Sequence, residues 1–394
     1  MSLFPHAPGR AGTYERQPLG YRAFSPAPLP PEPPIRLSGP LGLALSRADR
    51  ALGGLDGAVR TLPDPGGIAS MCARKEAVLS CRLAGSSCSL GELLAAEVEL
   101  FGGGTRAHEV AAVGRCVEAL NEGLARVAAE PVSVRLLCEV HERLLRDAGP
   151  MRQPPGELRR SQSWIGAAGC ALEDASFVPP PSEAVPGAME GLERFLGQPS
   201  GLPPLIEIGL AHAQFQNIHP FLEGSGRLGR LLIGFLIAER RLLESAVLYL
   251  SRHFQRHRAD YEASLQGVRE RGDWEGWLTF FLHGVAEVSA EATETVRRVH
   301  AVRERDRATL AARLGRAAES GHRVLEALFG RPVVTVADVQ STTGTTFAAA
   351  NRLVARLCDS GLLVEVTGFG RNRRFLYEGY ARLFSESESD RRVE

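Results

Sequence analysis

The chain has 394 residues, enough for two or three cores, and its 44% hydrophobic and 23% charged content is that of an ordinary globular protein. Lysine plus arginine and aspartate plus glutamate both number 46, so no global field draws the chain to nucleic acid or an anionic membrane, and any such binding must come from a local patch. Seven cysteines, an odd number with no CxxC pair, argue against a disulfide framework or a zinc site. No apolar signal core opens the chain and no run approaches about 18 apolar residues, so a cytoplasmic protein without membrane contact is expected.

Residues 1–38, ending in "PAPLPPEPPI", read from composition as extended, polyproline-like chain that builds no core of its own. Helical spacing follows. Leu41, Leu45, Ala48, Leu52 and Leu55 share one face over 41–62, and the same 3-to-4 spacing recurs at 90–101, 110–127 and 133–146. A proline start and the stripe Leu205, Ile208, Phe215 and Ile218 predict a helix over 203–218, and a further helix is expected over about 226–243. Residues 273–314 read as one or two long helices. From about 320 the pattern changes to three short helices and then two β-rich runs around a Gly-Arg-Asn turn, the order of a winged helix-turn-helix. The tail "SESESDRRVE" is expected to fray.

The chemistry concentrates in "HPFLEGSGRLGR", residues 219–230. His219 is the side chain whose ordinary pKa lies nearest neutrality, which suits a general base. Glu223 is a hard oxygen ligand of the kind magnesium takes beside phosphates. Gly224, Ser225 and Gly226 let backbone N–H groups converge on an anion where the next helix begins. Arg227 and Arg230 lie one turn apart, and their planar forks can grip phosphate oxygens. On this chemistry alone, the stretch divides evenly between a phosphate site and a polar loop joining two core helices.

The stretch resembles the Fic family motif HxFx(D/E)GNGRxxR at every position but Ser225, where the family has asparagine. "PGELRRSQSWIG" (155–166), "FVPPPSEAVPGAMEGLERFL" (177–196), "LYLSRHFQRHRADYEASLQGVRERGDWEGWLTFFL" (248–282) and "PLPPEPPI" (28–35) resemble the same Fic subgroup. The resemblance implies a mostly α fold: a Fic-type helical core with a small β-hairpin flap, then a winged helix-turn-helix. Its divisions would be an extension at 1–38 that wraps the core, a helical region at 39–110, a Fic core at 111–290, a helical linker at 291–319, the winged helix at 320–382 and a disordered tail at 383–394.

It implies a magnesium-dependent protein adenylyltransferase that moves AMP from ATP to a Ser, Thr or Tyr hydroxyl of a target protein or of itself. His219 would deprotonate the acceptor, and Glu223 would hold magnesium. Gly224, Ser225, Gly226, Arg227, Leu228, Gly229 and Arg230 would form the nucleotide cradle. The "FVPPP" flap would align the target's chain by backbone pairing. His257 and Tyr261 fall where the family places adenine-pocket residues. Doc-type relatives, which phosphorylate, carry lysine where this chain has Gly226, so the resemblance favours AMP transfer. A homodimer is within the family's range.

Two departures carry expectations. Ser225 offers a shorter donor than asparagine, which would cost rate if the family's contact to the α-phosphate is lost. The family's inhibitory pattern (S/T)xxxE(G/N) aligns on Ser80 to Gly85 with Ala84 in the glutamate's place, which implies that glutamate-based autoinhibition is absent and that Arg230 is free for ATP. In the C-terminal segment Thr345, Thr346, Asn351 and Arg352 would lie on a recognition helix and Arg371, Arg373 and Arg374 in the wing, which makes DNA a candidate partner. The rival reading is a catalytically weak, Fic-like nucleotide-binding regulator acting through that module on DNA or a partner protein.

Overall fold

A computed structural model describes residues 9–97, 105–167, 169–368 and 371–385. The chain opens with an antiparallel hairpin, β1 (Gly12–Arg16) and β2 (Arg22–Pro26), in register Gly12 to Pro26. Composition alone had this segment coreless, and that is corrected here. Phe24 is fully buried, its ring centroid 5.2 Å from Tyr14 and 6.1 Å from Phe177, and its amide donates to Val178 O at 2.8 Å. Arg10 forms a buried pair with Glu275 at 2.6 Å and donates to Pro33 O at 2.7 Å, so the proline-rich strap lies against the core as the resemblance implied. Local statistics miss this because a strap gets its burial from residues more than a hundred positions away.

Helices follow: α1 (Gly39–Arg60), α2 (Pro65–Leu83), α3 (Leu90–Ala96), α4 (Thr105–Val127) and α5 (Val134–Leu145). Asp64 accepts from Gly66 N to cap α2, Ser89 and Glu92 form a reciprocal capping box on α3, and Ser133 caps α5. Of the helix expected over 90–101, residues 98–101 lie outside the described residues. Then come α6 (Val185–Gly197), α7 (Pro204–Ile218), α8 (Ser225–Glu239), α9 (Ser251–Arg256), α10 (Arg258–Arg271) and the single unbroken α11 (Trp274–Leu314). The expected extension of α8 to 243 stops at Glu239 because Arg241 takes a positive φ of 52° that no helix continues through.

The last part comprises α12 (Ala318–Gly330), β3 (Val333–Thr335), α13 (Val336–Thr343), α14 (Phe347–Asp359), β4 (Val364–Glu365), β5 (Arg374–Leu376) and α15 (Glu378–Ala381). The two expected β-rich runs pair as β4 and β5, and a third strand, β3, joins them in the order β3-β5-β4. This module docks on the rest through α2. Phe329 sits against Gly67, where an added Cβ would lie 2.8 Å from its backbone, and the Tyr380 hydroxyl donates to Gly67 O at 3.4 Å. Residues 1–8 of the extension and 386–394 of the tail lie outside the described residues.

The pair that positions the site is α7 against α8. Almost every residue of α7 from Leu205 to Ile218 is buried, and Leu228, Leu231, Leu232 and Phe235 of α8 are as well. At Gly229 the two helices come into close contact, since a Cβ there would fall 2.6 Å from Gln216 Nε2 and 2.9 Å from the Phe215 ring.

Candidate active site

The loop between α7 and α8 is built by backbone conformation first. His219 ends α7 in the left-handed region, φ 47° and ψ 64°, with its amide donating to Phe215 O at 2.9 Å. That conformation is unfavourable for a side chain other than glycine, asparagine or aspartate, so its neighbours must enforce it. Pro220 prevents the helix from continuing. Phe221 then plunges into the core, fully buried, and stacks on His141 with ring centroids 3.8 Å apart and planes 12° from parallel.

His141, on α5, is the loop's second anchor. Its Nδ1 accepts from Gly156 N at 2.9 Å, so the proton sits on Nε2, which donates to Glu223 O at 2.8 Å. Burial, with a smaller contribution from Arg227, lowers its pKa to about 4 and keeps that neutral tautomer. Gly224 follows at φ 80°, and a Cβ there would crowd His141 Nε2 at 3.3 Å. Gly224 caps α8 without a side chain, so no side-chain oxygen from the cap satisfies the first N–H groups of α8.

Ser225 closes the loop on itself. Its buried Oγ accepts from Phe221 N at 2.9 Å and donates to Phe221 O at 2.9 Å. The expectation that Ser225 stands in for a phosphate donor is corrected: its only proton is committed to the loop backbone.

His219 itself is half-buried. Its carbonyl accepts from Arg159 Nε at 2.9 Å, and its Nδ1 lies 3.5 Å from Ser163 Oγ. Desolvation, then the nearby charges of Arg159 and Arg269, lowers its pKa to about 3, so the imidazole is neutral at every physiological pH and able to take up a proton. Arg159 is the hub. Its fully buried guanidinium also donates to Ser161 O at 3.2 Å and to Pro180 O, and its amide donates to Pro220 O at 2.9 Å. One side chain thus holds the histidine loop and the 177–181 segment together. Arg269 adds a second brace, bonding Asn217 Oδ1 at 2.8 Å and lying 3.6 Å over the Phe177 ring.

The flap is a single antiparallel bridge, Ile165 with Phe177, whose amides and carbonyls exchange bonds of 2.8 and 3.1 Å. Trp164 and Ile165 are exposed beside it. Glu223 has an exposed carboxylate next to the open end of α8. One accessible carboxylate beside an anion-binding helix end suits magnesium, which takes one or two protein oxygens plus substrate phosphates.

The cradle residues separate. Gly224, Gly226 and Arg227 line the helix start, whereas Leu228 is fully buried and Gly229 packs on α7, so these two serve helix packing. Arg230 is buried and not free: its Nε donates to Ser80 Oγ at 2.9 Å and its Nη2 to Ser80 O at 2.7 Å. This corrects the expectation that Arg230 is free for ATP; Ala84 itself lies exposed at the C-cap of α2, one turn beyond Ser80. Tyr261 is corrected as an adenine-pocket residue. Its hydroxyl bonds His212 Nε2 at 3.0 Å, its ring stacks on Phe254 at 4.5 Å, and burial raises its pKa while a hydrogen bond ties it to Arg230. His257 sits half-buried where α9 meets α10.

In the C-terminal module, Thr346 caps α14 by accepting from Ala349 N at 3.3 Å, Thr345 Oγ1 pairs with Thr343 Oγ1 at 2.8 Å, and Asn351 accepts from Arg373 at 3.3 Å. Arg352 on α14 and Arg371 beside β5 are exposed, and Arg374 lies in β5.

His141, Arg159 and Arg269 are neighbours of the loop that spacing did not single out. Arg159 and Arg160 are adjacent and identical in type, yet the first is buried and the second exposed; only the tertiary fold tells them apart.

Residues 131–237 match the Fic/DOC family. The histidine loop, α7 and all but the last two residues of α8 lie inside that match, and residues 43–125 match the family's N-terminal region. Among curated relatives, the protein adenylyltransferase Fic of Drosophila yakuba and that of Drosophila melanogaster are each 32% identical over 108 residues, 27% of this chain. The chain spans only 20% of the length of either relative. A Fic family protein from Desulfovibrio desulfuricans superposes with a TM-score of 0.58 at 16% identity, covering 87% of this chain and 97% of that one. A Fic-domain signaling protein from Bacteroides thetaiotaomicron gives 0.50 at 15% identity, covering 63% and 95%. At such identities these likenesses concern the fold.

Proposed function

We propose that the chain is a Fic-type protein adenylyltransferase, using ATP to modify a hydroxyl side chain on a protein. The observation that carries this reading is a neutral imidazole, His219, held by Arg159 beside a helix start whose N–H groups no side chain caps. In the proposed step the acceptor hydroxyl oxygen bonds to the α-phosphorus, its proton passes to the His219 ring, and the bond from the α-phosphorus to pyrophosphate breaks. The N–H groups of α8 and the Arg227 guanidinium face the charge that develops on the phosphate oxygens. The depressed basicity of His219 fits a site that receives a tetra-anionic nucleotide, because nearby negative charge raises an imidazole's pKa toward a useful range. Glu223 would hold magnesium, which supplies charge neutralisation on the phosphates when bound. The exposed flap edge at Trp164 and Ile165 suits docking of the target as an extended strand.

The Ser80 brace on Arg230 favours a second reading, a weak catalyst that binds nucleotide and acts chiefly as a regulator. Its effector would be the C-terminal module, which we read as a winged helix from its three helices and β3-β5-β4 sheet, with Arg352 and Arg371 exposed toward DNA or a protein. Incubation with α-labelled ATP and magnesium, beside His219→Ala, separates the readings. Label on protein that vanishes in the variant supports transfer, whereas nucleotide binding without transfer supports the regulator.

A further inference from the structure

We propose that His253, His257 and Glu287 form a binding site for a divalent transition metal of the zinc class, at the corner where α9 meets α10 against α11. The site is separate from the nucleotide loop and does not depend on the transferase reading. His253 Nδ1 lies 2.6 Å from Glu287 Oε2, and His257 Nε2 lies 3.9 Å from the same oxygen. One ligand atom from each residue falls within 4.8 Å of the other two. Tetrahedral zinc with bonds of about 2.0–2.1 Å places neighbouring ligand atoms roughly 3.3 Å apart. The short separation must open and the long one close by about 0.6–0.7 Å each, within the reach of side-chain torsions.

The fold fixes this geometry. His253 and His257 are four residues apart, so they project on one side despite the break between α9 and α10, and their ring centroids stand 4.7 Å apart. The His253 ring lies on Gly284 of α11, where a Cβ would come within 2.5 Å of its Cδ2; a glycine there gives the ring its seat. The other nitrogen of His257, Nδ1, lies 3.9 Å from Asp260 Oδ2, longer than a hydrogen bond, and the other nitrogen of His253, Nε2, is buried with no hydrogen-bond partner. Arg256 occupies the second oxygen of Glu287, Oε1, and bonds Glu291 at 2.8 Å, leaving Oε2 toward the two rings.

The side chains of His257 and Glu287 are 39% and 31% exposed, which leaves an approach for the ion and a fourth position for water. Two imidazoles and one carboxylate select zinc, cobalt or nickel over magnesium, so this set is chemically distinct from Glu223. A bound ion would fasten the α9–α10 corner, and with it Tyr261, to α11.

The test uses the full chain, stripped with chelator and dialysed to equilibrium against Zn2+, with Co2+ absorption as a geometric readout. The expected result is one Zn2+ per chain, tetrahedral-type visible bands with Co2+, and loss of affinity by more than about tenfold in His257→Ala, since even supporting partners cost that much in metal sites. His257 is partly exposed, so this variant keeps its fold, which far-UV dichroism checks. Glu287→Gln should lose binding as well, and His322→Ala, at a half-buried position on α12, should not. Absence of stoichiometric uptake, or equal affinity in the wild type and His257→Ala, overturns the proposal.

Discussion

Replacing Ser225 by alanine distinguishes a loop staple from a phosphate donor. In the structure Ser225 Oγ satisfies both the N–H and the C=O of Phe221, each at 2.9 Å, in a site where Ser225 is only 1% exposed. Alanine leaves two buried backbone groups without partners, and each such group costs about 1–3 kcal/mol. Alanine's better helix propensity at this first position of α8 returns a few tenths to about 0.5 kcal/mol. The net expectation is about 1.5–5.5 kcal/mol of lost stability, read from urea unfolding at neutral pH. Label transfer should fall too, because the loop that carries His219 and the α8 start loses its closure. A phosphate donor would behave otherwise: transfer would drop while the unfolding midpoint stayed put. An Ser225→Ala midpoint within about 0.5 kcal/mol of the parent, the range of an inconsequential surface change, refutes the staple.

Three further outcomes follow from the same geometry. Arg159→Met removes a buried charge that both depresses His219 and satisfies carbonyls of two segments, so the His219 pKa should rise from about 3 toward its ordinary value, as followed by NMR titration, with more than about 2 kcal/mol of stability lost; an unmoved titration refutes the hub. Acid should destabilise the core through His212 and His141, whose folded-state pKa values burial lowers to about 3 and about 4. Because the unfolded chain binds these protons first, that stability is complete above about pH 6.5 and is lost as pH falls, by up to about 1.4 kcal/mol per pH unit for each ring, and His212→Gln should flatten the slope by one proton. Gly229→Ala should cost about 1–3 kcal/mol by forcing α8 off Gln216 and Phe215, checked by the urea midpoint.

Much of the architecture was readable from periodicity. The helices over 41–62, 110–127, 133–146 and 203–218 appear within a few residues of their expected bounds, because each buries one apolar stripe. The β1–β2 hairpin was not readable, since Phe24 has no local reason to be buried and earns its place only against Tyr14 and Phe177. In the site, the roles of Ser225 and Arg230 were misjudged for different reasons: Ser225 meets Phe221 only four residues away, through a loop conformation that residue type does not announce. Spacing shows which residue types are near one another in sequence, but Ser80 meets Arg230 across 150 positions.

The order of residues in 219–230 was enough by itself to set out a base, a carboxylate, a glycine-flanked helix start and two arginines, because those depend on neighbours in the chain. Tertiary structure alone decided which of these groups are at liberty to act. The loop of His219 is held by Arg159 and its imidazole is kept neutral chiefly by burial, and Arg230 is held by Ser80. Hydrogen-bond partners and desolvation belong to the packed molecule, and no local pattern encodes them.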